Sequence, residues 1–309
     1  MAPDPEESST ECQLKQPVVV ITTEHMENSR EKENALNAAI TDSDSISAFS
    51  DESVQGYMTD EEPKLGGVSE IKEAVDILQA AEIPCCLVAE SALIYYGAHR
   101  IRHDWHICVP TEHLEKAADL FRSKPQHYEP FRPSKLTSPS SVNHLYPRFK
   151  FVGLRLFFVL LPSKVCNLEC KASNIEFSKA GLPYPTLPIY AQSLLDGNRA
   201  VELDDLIDGM NLTLEWGKEH LDLEGSIDLD WIWWRMKLLR VTDERDLDEG
   251  DDCRPPGFSR PYPRLGIWAD RVSPEAKKNR HGWKYHPIYE TRFRRVGSKD
   301  PRLKDRETC

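Results

Sequence analysis

Asp104 and His106 stand two residues apart in Asp104-Trp-His-Ile-Cys-Val-Pro110, a spacing that projects both side chains from one face of a strand. Such a pair can share a cation. Asp104 offers the oxygen that a hard ion such as Mg²⁺ wants, and His106 a softer nitrogen. Upstream, Ala89-Glu90-Ser91 leads from a strand into a short helix, and a serine at such a turn can line an anion site. Arg100 and Arg102 lie between that helix and the Asp104 strand, where they can face anionic groups. Asp104 is therefore the candidate catalytic residue. Asp104 and His106 are the candidate metal ligands, and Ser91, Arg100 and Arg102 the candidate ligand-binding residues. Glu90 counts against a phosphate at this turn, because it sets a negative charge where the phosphate would lie.

Other reactive groups read differently. His99, His103 and His106 have the spacing of a helical zinc face, but Gly97 ends the helix before them and Asp104 to Val109 alternates as a strand. Cys166 and Cys170 have the spacing of half a metal site, with no second half evident. Cys85, Cys86 and Cys108 fall in apolar strand segments, where thiols act as small hydrophobes. Eight cysteines without a Cys-x-x-Cys unit lend no support to a zinc ribbon or disulfide framework. Glu202, Asp204, Asp205 and Asp208 read as the solvated face of a helix. From Arg254 onward, basic residues interleave with Trp268, Trp283, Tyr285, Tyr289 and Phe293. That mixture can track a phosphate backbone. No nucleic-acid motif accompanies it, and a basic arm folded back on an acidic body satisfies the same charges.

The elements that must position these residues follow from periodicity. Ser69 can cap a helix with Ile71, Ala74, Val75 and Leu78 on its buried stripe. Cys85 to Ala89 is a buried strand, Ser91 to Tyr96 a short helix ended by Gly97, and Trp105 to Val109 the next strand. Trp105, Ile107 and Val109 share one face of it, and Asp104, His106 and Cys108 the other. Thr111 can cap a helix carrying Leu114, Ala117, Ala118 and Phe121. Residues 123 to 147 read as a loop, and Phe149 to Val152 and Leu154 to Leu161 as strands turning at Gly153. Helices follow over Ile189 to Leu195, Glu202 to Met210 and Leu229 to Val241. Asp228 caps the last of these, with Trp231, Trp234 and Leu238 inward.

The net charge of -12 is spread unevenly over the 309 residues, with -11 in residues 1–67 and +7 in residues 251–309. The average speaks against a general nucleic-acid binder. Hydrophobic content of 39% and a mean hydropathy of -0.54 are low for a chain folded end to end, which predicts disordered termini. Three regions result: an acidic disordered head over 1–67, whose interleaved serines and acids suit an acidophilic kinase, a folded body over 68–245, and an acidic linker with a basic, aromatic-containing tail over 246–309. No stretch approaches the roughly 20 apolar residues of a membrane span, and the start lacks the features of a signal peptide. A cytoplasmic or nuclear protein is expected.

The order helix, strand, short helix, loop and Asp-bearing strand resembles the core of the polymerase-beta-type nucleotidyltransferase superfamily. Members carry Gly-Gly or Gly-Ser at the strand-to-helix turn, Asp-x-Asp opening the next strand and a third carboxylate on a neighbouring strand. Here Ser91, Ala92, Leu93, Tyr96, Gly97, Arg100 and Asp104 fit that pattern. His106 replaces the second carboxylate, and Phe149 to Leu161 contains no acid. Residues 70 to 235 are also similar to a group of uncharacterised filamentous-fungal proteins on this scaffold. The resemblance implies an α/β (α+β) fold, a nucleotidyltransferase-like mixed sheet with flanking helices followed by an α-helical half. It also implies a pseudoenzyme that binds a nucleotide, an anionic small molecule or a protein partner in a degenerate cleft. An active, Mg²⁺-dependent nucleotidyltransferase is the alternative, and an interaction protein acting through its charged tails is the third reading.

Overall fold

Alternation of apolar residues in short runs builds a mixed five-stranded sheet. In the computed structural model, which describes residues 66–132, 141–240 and 262–303, the strands are β1 (Cys86–Val88), β2 (Trp105–Val109), β3 (Tyr128–Pro130), β4 (Arg148–Phe151) and β5 (Phe157–Pro162). Their order is β1-β2-β5-β4-β3. β2 and β5 run parallel, and the other neighbours antiparallel. The acidic head expected to be disordered, with its serine-acid run, and the acidic linker lie outside the described residues. No helix among the described residues is long and apolar enough to cross a membrane.

The predicted alternation of β2 decides how the sheet is covered. Trp105, Ile107 and Val109 join the main core, packed with α1 (Val68–Ala80) and α3 (Leu114–Arg122) through Ile71, Leu78, Ala118 and Phe121. Cys108 faces the other way, into a smaller cluster with Cys86, Val88, Val159 and Leu161. β5 lies at the centre because Phe158 and Leu160 on one face and Val159 and Leu161 on the other are all apolar.

Several local expectations change for physical reasons. Gly67, not Ser69, is the N-cap of α1, because the Glu70 carboxylate reaches back to accept from the Gly67 amide at 2.6 Å. Thr111 opens a 3₁₀ turn instead of capping a helix. Its hydroxyl lies 3.1 Å from that of Ser163 and accepts from the Lys164 amide at 3.1 Å. The expected 123–147 loop contains β3, an edge strand that pairs with β4 through Tyr128 and Phe151. Residues 133–140 of that loop lie outside the described residues.

The helical half comprises α5 (Leu187–Asp196), α6 (Ala200–Met210), α7 (Leu214–His220) and α8 (Leu229–Arg240), after the four-residue α4 (Ser163–Cys166) and a small hairpin of β6 (Ile175–Phe177) and β7 (Pro183–Pro185). Asp228 caps α8 as predicted, accepting from the Trp231 amide at 2.9 Å. Trp231 and Trp233 are the buried aromatics of α8, while Trp234 is half-buried. The tail forms α9 (Arg264–Val272), α10 (Pro274–Lys278) and a hairpin of β8 (Tyr289–Thr291) and β9 (Arg294–Arg295). Trp268 of α9 is fully buried in the main core.

Candidate functional site

The turn between β1 and α2 (Glu90–Tyr95) keeps a glycine backbone without a glycine. Ala89 has φ 54° and ψ −132°, a region that a Cβ normally forbids. Neighbouring contacts hold it there. Its carbonyl accepts from the Leu93 amide at 3.0 Å and from the Tyr190 hydroxyl at 3.2 Å. Tyr95 stacks on Tyr184 at 4.2 Å and Tyr96 donates to the Pro185 carbonyl at 2.5 Å, fastening α2 to β7. Ala89→Gly is expected to stabilise the fold, since the relief of about 1–3 kcal/mol of strain exceeds the roughly 0.5–1 kcal/mol that glycine loses in chain entropy. A thermal midpoint higher by about 2–4 °C is the result to look for, and an unchanged or lower one refutes the strain.

Glu90, Ser91 and His106 gather unsatisfied polar atoms in this corner. Ser91 Oγ is buried without a hydrogen-bond partner, and Glu90 Oε2 and His106 Nδ1 are buried with only each other in reach. Glu90 Oε2 and His106 Nδ1 face each other at 3.3 Å. Asn143 places its amide nitrogen 2.6 Å from His106 Nε2. An amide nitrogen only donates, so in this arrangement Nε2 accepts and Nδ1 presents its proton to Glu90. Burial pushes the Glu90 carboxyl up, but His106 outweighs it and brings the group down to about 2. Ser91 thus lies on the turn as the sequence suggested, and His106 is held between an acid and an amide.

Asp104 is taken up by a cation of the protein itself. Arg148, the first residue of β4, donates to both of its oxygens, Nε to Oδ2 at 2.9 Å and Nη2 to Oδ1 at 3.0 Å. Phe131 and Phe157, themselves in contact at 5.0 Å, both lie against the guanidinium, with ring centroids at 4.9 and 4.3 Å. A bidentate, aromatic-stacked arginine leaves the carboxylate little reason to take a second cation. Among the described residues, the group of three or more ligating side chains close enough to share an ion contains neither Asp104 nor His106.

Arg100 and Arg102 face different partners. Arg100 pairs with Asp205, and Arg102 lies 3.4 Å over the Trp105 ring. Arg100 also lines a cleft of about 600 Å³ bounded by α2, α6 and α8, together with Glu90, Arg199, Glu202, Trp231 and Arg235. Arg199 is bound to Glu202 at 2.7 Å. Arg235 has no ion-pair partner among the described residues, and its guanidinium sits 5.7 Å from the Trp231 ring centroid. Burial, then the like charge of Arg199, hold Arg235 below the usual guanidinium range. An anion entering the cleft relieves both.

The acidic run of α6 corrects the expectation of a solvated face: Asp204, Asp205 and Asp208 are 3%, 0% and 0% exposed. The basic tail covers them. Arg280 pairs with Asp204 and, at 3.3 Å, with Asp208. Arg292 pairs with Asp205 and, at 2.6 Å, with Asp208, while Arg271 reaches Asp204 at 2.9 Å. Thr291 donates to the Asp208 carbonyl at 2.6 Å. These arginines are spent on folding the tail onto α6, and Arg100 links the same network to the cleft.

Four residues of the corner were not singled out from the sequence: Asn143, Arg148, Arg199 and Arg235. Arg235 and Arg199 carried local signals, since Arg235 follows Trp231 by four residues and Arg199 precedes Glu202 by three. Asn143 and Arg148 meet His106 and Asp104 from segments about 40 residues away. No protein-family model matches the chain, and no curated protein matches it.

Proposed function

We propose that this protein binds a small anionic molecule of nucleotide type in the cleft between α2, α6 and α8, on a nucleotidyltransferase-like scaffold that no longer transfers nucleotides. The reading is carried by Arg235, a half-buried arginine without an ion-pair partner among the described residues, lining the cleft together with Arg100 and Arg199. Trp231, on the same wall, backs the Arg235 guanidinium. The bidentate Arg148 is what argues against metal-assisted transfer. It neutralises Asp104, the acid that would hold Mg²⁺ if catalysis survived.

Calorimetry on the full chain with the four ribonucleoside triphosphates and with pyrophosphate, in chelator and in Mg²⁺, tests this. Binding in chelator is expected. Arg235→Ala should weaken it by about tenfold or more, the value of one charge-assisted hydrogen bond, and Asp104→Asn should leave it unchanged. Binding that requires Mg²⁺ and vanishes in Asp104→Asn would instead support an active, metal-dependent enzyme. Failure to bind any of these probes overturns the proposal and leaves the interaction-protein reading.

A further inference from the structure

On the side of the sheet away from the main core, Cys86, Cys108 and Cys170 come together, and Cys166 lies in the same buried cluster. Cys86 of β1 and Cys108 of β2 are directly opposed in the antiparallel ladder. Cys170 lies over them, positioned by a left-handed turn at Asn167 after α4. The three Sγ atoms are within 4.8 Å of one another, with Cys86 and Cys170 at 4.0 Å. Cys166, the last residue of α4, is buried in the same cluster, outside that group of three. All four are buried, at 0%, 0%, 6% and 5% exposed for Cys86, Cys108, Cys170 and Cys166.

The spacing discriminates between the uses of such a group. A disulfide needs its sulfurs about 2.0 Å apart. Thiolates about 2.3 Å from a common ion stand about 3.8 Å apart in a tetrahedral set and about 4.0 Å apart in a trigonal one. Cys86 and Cys170 match the ion geometry. Mere filling of apolar volume is a poor account, because four of the seven buried residues in this cluster are cysteine while the other three are valine or leucine. A valine in place of each would bury more apolar surface without a thiol to satisfy.

We propose that Cys86, Cys108, Cys166 and Cys170 form a structural zinc site that clamps β1, β2 and the 163–170 segment. The ligand set is all sulfur, which suits a d¹⁰ thiophilic ion over Mg²⁺ or Ca²⁺. Its burial gives the closed site of a structural zinc, with no open position for substrate. The Cys166-x-x-x-Cys170 pair supplies one half, and the β1-β2 ladder supplies the half that is distant in sequence. Cys85, one residue before Cys86, turns into the main core and is no part of the set.

The full chain, purified under reducing conditions, loaded with equimolar Zn²⁺ and desalted, is expected to retain about one zinc per chain by elemental mass spectrometry. Cys170→Ser should fall below about one-tenth of that, and Cys85→Ser should keep it. Because Cys170→Ser could fail for lack of folding, the wild-type protein loaded with Co²⁺ gives a second readout. Intense visible bands and a sulfur-to-cobalt charge-transfer band in the near ultraviolet are expected of tetrahedral thiolate coordination. A wild-type chain that retains no zinc, or whose freshly isolated mass is short by the two hydrogens of a Cys86–Cys170 disulfide, overturns the proposal.

Discussion

Replacing Arg280 by alanine is expected to cost about 3–5 kcal/mol of folding stability, a large part of the roughly 5–15 kcal/mol that a folded domain has in total. The reason is burial. Arg280 is 4% exposed at its side chain and is held by Asp204 and Asp208, at 4% and 0%. Removing it leaves two carboxylates in the interior with Arg271 and Arg292 as their remaining cations. Burial holds the Asp208 carboxyl above its ordinary range even though Arg280 and Arg292 pull it down. An acid whose folded value lies above its unfolded value penalises the fold at higher pH, and the penalty fades as pH falls below the folded value and is gone below the unfolded one. Losing Arg280 raises that value further, so the gap between variant and wild type should narrow as pH is lowered toward the ordinary aspartate range. Chemical denaturation at pH 7 and pH 5 measures both. The contrast is Lys72→Ala, which breaks a pair with side chains 43% and 53% exposed and should cost no more than about 0.5 kcal/mol. Equal losses in the two variants would mean that the α6 network does not hold the tail.

Gly209→Ala is expected to destabilise by about 2–3 kcal/mol, although alanine in a helix is normally better than glycine by about 1 kcal/mol. A Cβ at Gly209 would press into the Tyr96 carbonyl and come within 2.9 Å of the Ala98 amide. Both are backbone atoms, which cannot step aside as a side-chain end can. Gly97, on the other side of this crossing, already needs its positive φ of 92°. The approach lets α6 lie against the end of α2, and so brings Arg100 to Asp205 and sets one wall of the cleft. Gly266→Ala is the control, because it too lies inside a helix, α9, and a Cβ there meets nothing nearer than a Pro263 ring carbon at 3.4 Å, so its thermal midpoint should stay at or above wild type. If Gly209→Ala melts with the control, the close crossing is not a constraint.

Much of the scaffold is legible in the chain because its signals are local. The stripe Ile71, Ala74, Val75 and Leu78 needs only a 3.6-residue period, and all four are fully buried. The two faces of β2 need only alternation, and they separate into two apolar clusters. The Asp228 cap is a relation between residues three apart. The mixed α/β class follows from such pieces taken in order.

The chemistry is another matter, because it depends on which distant side chain arrives. Asp104 reads as a metal carboxylate until Arg148 comes alongside it from β4, which is a strand neighbour of β5 and not of β2. Asp204, Asp205 and Asp208 alternate with apolar residues in a way that any solvated helix face would. Only the return of Arg271, Arg280 and Arg292 from some 65 or more residues later makes their burial tolerable. Cys166 and Cys170 read as half a site, and the ladder register sets Cys86 opposite Cys108, with Cys170 within 4.8 Å of both. The sequence by itself determined the elements around β2, their order and their apolar faces, since backbone geometry and apolar spacing act within a few residues. Only the tertiary structure decided which charges are buried and neutralised, which arginine has no ion-pair partner among the described residues and where the thiols converge. Electrostatic and ligand contacts are settled by proximity in space, and a linear spacing does not encode it.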